Sequence, residues 1–198
     1  MIAGLAPTLR WKRACWAGVV GLVLVLLLAA PAEAVTFKGG DAAHRAAALN
    51  VLQSQPELLA LVERVYPDFT VWIGYGGHAW EGRIDVCGTR QGRAFTDQVA
   101  HEFCHEVQRA ADAAAGMATL GGAWLDELTR RGYGPETWEW GLYAPLYGLR
   151  DPWEAFAENM KRAFFSPYYT LTNTPNTYLG WLSRADMSAF LQANGVAL

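Results

Sequence analysis

The chain has 198 residues, of which 52% are hydrophobic and 18% charged, and its formal net charge is −3. Without its first 34 residues, which hold three of the 16 basic and one of the 19 acidic side chains, the net charge is −5 and no basic run remains. That excludes an electrostatic nucleic-acid binder, and 164 residues suffice for a single domain with a sizeable core.

Arg10, Lys12 and Arg13 form a basic start, Ala14 to Ala30 is an uncharged Leu/Val-rich run, and Ala32-Glu33-Ala34 offers small residues at the two positions a signal peptidase reads. Residues 1–34 are expected to be an export signal cleaved after Ala34. The alternative is an uncleaved membrane anchor on residues 14–30, a run slightly short for a span of about 20 residues. Either way residues 35–198 are expected to work outside the cytoplasm, secreted or periplasmic, touching a membrane only if the signal stays attached. Cys87 and Cys104 remain in that part. Two readings stand: a disulfide clamping an extended segment onto the following helix, or two small apolar side chains in the core.

The Ala-rich segment from Asp41 to about Ser54 has a helical pattern, and Pro56 opens a second helix through Val65. Phe69 to Ile73 and Gly82 to Val86 read as short strands around a turn-rich Gly74–His78 loop. His44 is expected on an exposed helix face, and His78 on a surface loop within possible reach of a substrate. Thr96 to Ala115 follows as a helix, Thr96 and Asp97 serving as N-cap candidates. It contains His101-Glu102-Phe103-Cys104-His105. Histidines at i and i+4 share one helical face a turn apart, a spacing that suits two nitrogen ligands on a tetrahedral zinc. Glu102, beside the first ligand, can reach a water there without binding the metal, the position a general base needs. Cys104 points away from that face, which disfavours thiolate ligation.

Gly116 to Gly122 reads as a connection and Ala123 to Arg131 as an amphipathic helix, with Asp126 and Glu127 on its solvated face. Glu136 to Gly148 is dense in aromatics, with Trp138, Trp140, Tyr143 and Tyr147. Asp151-Pro152 is a strong helix start, the helix running to about Phe165. After a Pro167–Thr177 loop, a last helix is expected from about Tyr178 to Ala193. Trp72, Trp80, Trp138, Trp140 and Trp153 are read mainly as core, with a groove lining as the alternative. The pattern is α+β, mostly helical with a small sheet.

A catalytic zinc needs a third protein ligand. Glu154 and Glu158, at i and i+4, share a face on the Asp151 helix: one can bind metal while the other accepts a hydrogen bond from a ligating imidazole. Glu154 also fits a capping box with Asp151. Residue chemistry leaves the choice between them open.

HExxH followed after 48 residues by Glu154-Ala-Phe-Ala-Glu158 resembles the gluzincin peptidases, and more narrowly the anthrax lethal factor catalytic domain and the related Pro-Pro endopeptidases. Tyr147, seven residues before Glu154, stands where that family has its catalytic tyrosine, with Tyr143 as a rival. Asn173-Thr-Pro175-Asn-Thr177-Tyr178 is similar to the stretch leading into the family's last helix. Cys104 departs from the Gly commoner there. The resemblance, covering roughly Val71 to Leu191, implies a zincin-like fold, one Zn²⁺ per chain on His101, His105 and Glu154, Glu158 behind a ligand, and Tyr147 stabilising an oxyanion. The activity implied is that of a secreted zinc endopeptidase, with Pro-containing peptides among its substrates. The edge strand is expected just before the HExxH helix, with Arg83, Ile84 and Asp85 holding an extended peptide. The alternatives are an exported, non-catalytic binding module and a zinc amidase of cell-wall peptides.

Overall fold

The computed structural model describes residues 35–115, 120–132, 152–168 and 182–196. Among them are four strands and six helices: β1 (Thr36–Gly39), α1 (Ala42–Gln53), α2 (Pro56–Val65), β2 (Thr70–Gly74), β3 (His78–Trp80), β4 (Arg83–Cys87), α3 (Gly92–Ala115), α4 (Leu120–Arg130), α5 (Pro152–Phe164) and α6 (Arg184–Ala193). Residues 35–198 cluster as one compact unit. The class is α+β, with a small mixed sheet.

The sheet order is β1-β2-β4-β3, with β1, β2 and β4 parallel and β3 antiparallel to β4. This corrects the expectation that the strand before the HExxH helix is an edge. β4 is hydrogen-bonded on both sides, so Arg83, Ile84 and Asp85 offer no free edge to a peptide. Among the described residues the edges are β1 and β3, and β3 begins at His78, the last residue of the expected loop. Glu81 and Gly82 make the two-residue β3–β4 turn, in which Gly82 adopts φ +78°, a conformation that favours glycine.

Alternation along the strands sorts side chains onto two faces. Phe69, Val71, Ile73, Ile84 and Val86 are buried toward α3, whose Val99, Ala100, Phe103, Cys104, Val107, Ala110 and Ala111 are all fully buried. A fully buried Val, Leu or Phe side chain contributes about 1.5–3 kcal/mol, so this stripe fixes how α3 lies on the sheet. The Phe103 ring meets Phe69 at 6.0 Å on one side and Phe165 at 5.9 Å on the other. On the other face Trp72 and Trp80 are 41% and 54% exposed, against the core placement expected for them. Arg83 stacks over the Trp72 ring at 4.0 Å and pairs with Asp85. Those two side chains are engaged with their own sheet.

Several helix ends move for identifiable reasons. The Thr96 hydroxyl donates to the Arg93 carbonyl, so Thr96 lies inside α3, which starts at Gly92. Leu120 to Gly122, expected in a connection, are helical, and the Asp112 carboxylate accepts the Leu120 N–H at 2.6 Å. α6 begins at Arg184, capped by Ser183, whose hydroxyl accepts from the Asp186 N–H. A start at Tyr178 is therefore too early. Buried Asn159 bonds Trp124 of α4 and both backbone groups of Leu182, tying α4, α5 and the entry to α6 together. No helix of the described residues is long and apolar enough to cross a membrane.

Candidate metal centre and cleft

α5 packs along α3 and brings Glu154 against the two histidines. Glu154 Oε2 lies 3.1 Å from His101 Nε2 and 3.4 Å from His105 Nε2, and the two Nε2 atoms are 3.2 Å apart. Ligands about 2.0–2.1 Å from a tetrahedral ion must stand about 3.3 Å from one another, so the triangle has the size such an ion needs. Glu154 Oε2 is buried and, despite its distances, makes no hydrogen bond. Three ligand atoms thus converge on one point, one of them a buried oxygen without a hydrogen bond, and the residues fit a divalent cation.

Behind the triangle, His101 Nδ1 donates to Glu158 Oε1 at 2.7 Å, which orients the ring with Nε2 toward Glu154 and His105. Glu158 Oε1 also accepts from Lys161 Nζ at 2.9 Å, and Lys161 reaches Asp97 on α3 at 3.2 Å. Lys161 is only 4% exposed. It secures Glu158 from below and fixes the turn of α5 that presents Glu154.

Electrostatics point the same way. Burial alone would lower the His101 pKa, but Glu154 and Glu158 outweigh it and hold it up to about 10. The imidazoles of His101 and His105 hold the Glu154 carboxyl well below its usual range. Burial works to raise the Glu158 pKa as well, yet His101 and Lys161 keep it depressed. The cluster is built around a positive charge. Burial pushes the Glu102 carboxyl up to about 7, with His101 opposing the rise.

These residues open onto a cleft of about 440 Å³. Its floor is the α3 stripe His101, Glu102, His105 and Arg109; one wall is Gly77 to Trp80 of the β3 edge; the other is Trp153 and Glu154 of α5. Gly77 passes so close to α3 that a Cβ there would lie 2.5 Å from Gln98 Nε2 and 3.5 Å from Glu102 Oε1. Gln98, one turn before Glu102, accepts from the Cys87 N–H and donates to the Gly76 carbonyl. At the far end the Gly82 N–H donates to Glu106 Oε2 at 2.8 Å. β3 is thus pinned beside the helix at both ends.

The structure brings together His101, Glu102, His105, Glu154 and Glu158. Arg83, Ile84 and Asp85 lie outside the cleft, Ile84 fully buried in the core. Cys87 and Cys104 are not bridged: Cys104 is buried in the core of α3, and Cys87 Sγ lies 3.1 Å from the Thr89 hydroxyl. His44 is not isolated, since its Nε2 donates to the Arg90 carbonyl and its ring packs on Phe95 of α3. Glu127 is held by Arg130 and Arg131, away from the cluster. Tyr143, Tyr147, Trp138, Trp140 and Asn173 to Tyr178 lie outside the described residues. Gln98, Arg109, Lys161 and the β3 edge are the site elements the sequence reading missed. Of these, Arg109 alone had a local signal: it continues the i, i+4 row of His101 and His105.

Comparison with protein-family models, curated proteins and solved structures gives no match for this chain.

Proposed function

We propose that this chain is an exported zinc-dependent endopeptidase. The observation that carries the reading is the 3.1–3.4 Å triangle of His101 Nε2, His105 Nε2 and Glu154 Oε2, in which a buried carboxylate oxygen is left without a hydrogen bond. Zinc, when bound there, supplies a Lewis acid that polarises a carbonyl and lowers the pKa of a water toward about 7. Glu102, on the cleft floor next to His101, takes a proton from the attacking water and returns it to the leaving nitrogen. Its partly desolvated carboxyl, with a pKa near neutrality, suits a group that must both accept and donate. Glu158 holds the His101 ring in the tautomer that leaves Nε2 free. The resemblance to gluzincins assigns the oxyanion-stabilising hydroxyl to Tyr147.

A peptide substrate is supported by the β3 edge. Among the described residues His78 to Trp80 pair with β4 on one side only, so their other side offers backbone groups to an extended chain along the cleft wall. The N-terminal basic–apolar–small pattern supports an extracytoplasmic site of action.

The test is the zinc content of the purified full chain by elemental mass spectrometry, after dialysis against metal-free buffer. About one zinc per chain is expected. No zinc, even after reconstitution, overturns the metal site and favours an exported binding module without catalysis.

A further inference from the structure

Arg109 is the one Lys or Arg side chain among the described residues lining the cleft. It follows His105 by one helical turn, and β3 runs beside α3 from Glu102 at Gly77 to Glu106 at Gly82. Trp80, near the Gly82 end of β3, lines the same cleft. The Arg109 guanidinium makes no side-chain hydrogen bond among the described residues. Among the described residues its ion-pair neighbour is Glu106, whose Oε1 lies 3.9 Å from Arg109 Nε, too far for a hydrogen bond. A part-buried guanidinium, ion-paired at a distance with Glu106, thus keeps a planar fork of donors without a hydrogen bond at the cleft, the geometry that recognises a carboxylate in bidentate fashion.

Resting on the peptidase reading, we propose that Arg109 is a specificity residue that binds a carboxylate of the substrate peptide, from an Asp or Glu side chain or from a free C-terminus. Arg109 lies about 6 Å along the helix from His105. An extended peptide advances about 3.3 Å per residue, so the carboxylate falls about two residues from the bond to be broken. The remaining cleft carboxylates, Glu102 and Glu154, sit at the reacting end, which leaves Arg109 to attract acid only at its own end.

The test uses the full chain carrying Glu102→Gln, to prevent turnover, and three alanine decapeptides. One is blocked at both ends with a central Asp, one is blocked with Asn there, and one lacks Asp but has a free C-terminus. Binding is followed by titration calorimetry, with and without Arg109→Gln. Binding of the Asp or the free-carboxylate peptide about tenfold tighter than the Asn peptide is expected. Arg109→Gln should abolish that preference, and Arg109→Lys, which keeps the charge beside Glu106, should retain part of it. Which of the two peptides gains identifies the source of the carboxylate. Equal binding of all three, undetectable binding included, or a preference that survives Arg109→Gln overturns the assignment. Failure of the peptidase reading shows separately: a carboxylate preference in a wild-type chain that cuts no peptide removes catalysis and leaves Arg109 its ligand. Where wild type does cut, product masses should place the broken bond about two residues from the Asp.

Discussion

His101 Nδ1 donates to Glu158 Oε1 at 2.7 Å, so one imidazole separates the two carboxylates of α5 and gives them different work. Glu154 faces the Nε2 side, where a cation fits, and Glu158 faces the side that orients the ring. Glu154→Ala should therefore remove most of the bound zinc. Glu158→Ala should weaken zinc affinity by about 10–100-fold without abolishing it. Competition against a fluorescent zinc chelator measures both, and the reverse order would exchange the two roles.

Glu102 shares the helix with the metal candidates but contributes no atom to the triangle. Glu102→Gln keeps the size of the side chain and removes its ability to take a proton. Peptide hydrolysis should fall at least about a hundredfold with zinc content unchanged. A variant that loses zinc in step with activity would mean that Glu102 supports the metal rather than the proton transfer.

What the sequence made legible follows from the range of each interaction. The His101–Glu102–His105 constellation needs only the 3.6-residue helical period, and the structure keeps that spacing on α3. The choice between Glu154 and Glu158 was open, because both share a face of α5. It is set by how α5 docks on α3, through Phe156, Met160 and the Lys161–Asp97 contact, whose partners lie far apart in sequence. β3 was illegible for another reason: three residues between Gly77 and the Glu81-Gly82 turn are too few for an alternation to show. Strand order is also non-local, so β4 was placed at the edge although β3 occupies it. Composition could not decide the fate of Cys87 and Cys104, because bridging depends on where Cys104 points, which is into the core.

Lys161 is a buried cation between two carboxylates, Glu158 and Asp97. Burial works against its charge, and those carboxylates more than restore it. Lys161→Met leaves both acids facing an apolar side chain, which should cost about 3 kcal/mol of stability. Urea denaturation of the two chains measures the difference, and a loss below about 1 kcal/mol would show that solvent already relieves the pair.

Gly77 lies against the Gln98–Glu102 side of α3 through space that a methyl group would fill. Gly77→Ala must push Gln98 aside; Gln98 is a flexible side chain, so the energetic cost is only that of its hydrogen bonds, about 1 kcal/mol. The displaced Gln98 lies one turn from Glu102, and small misplacements there are costly to chemistry. Activity should therefore drop by about tenfold or more while the loss of stability stays at about 1 kcal/mol by urea denaturation. Equal relative losses of activity and stability would reduce Gly77 to a packing residue.

His44 links pH to the anchoring of the loop that leads into α3. Its Nε2 donates to the Arg90 carbonyl and its Nδ1 to Asp41, and these bonds raise its pKa above 6.5. A histidine whose folded pKa is raised stabilises the fold fully below its unfolded pKa, and that contribution is lost as pH climbs through the folded pKa. Asp41, with its own pKa lowered by His44, stays ionised across this window and adds no opposing titration. Subtracting the Tm of His44→Gln from that of the native chain should give a difference that is largest near pH 6 and shrinks toward pH 9. A difference that stays flat over that range would mean that His44 acts only by packing its ring on Phe95.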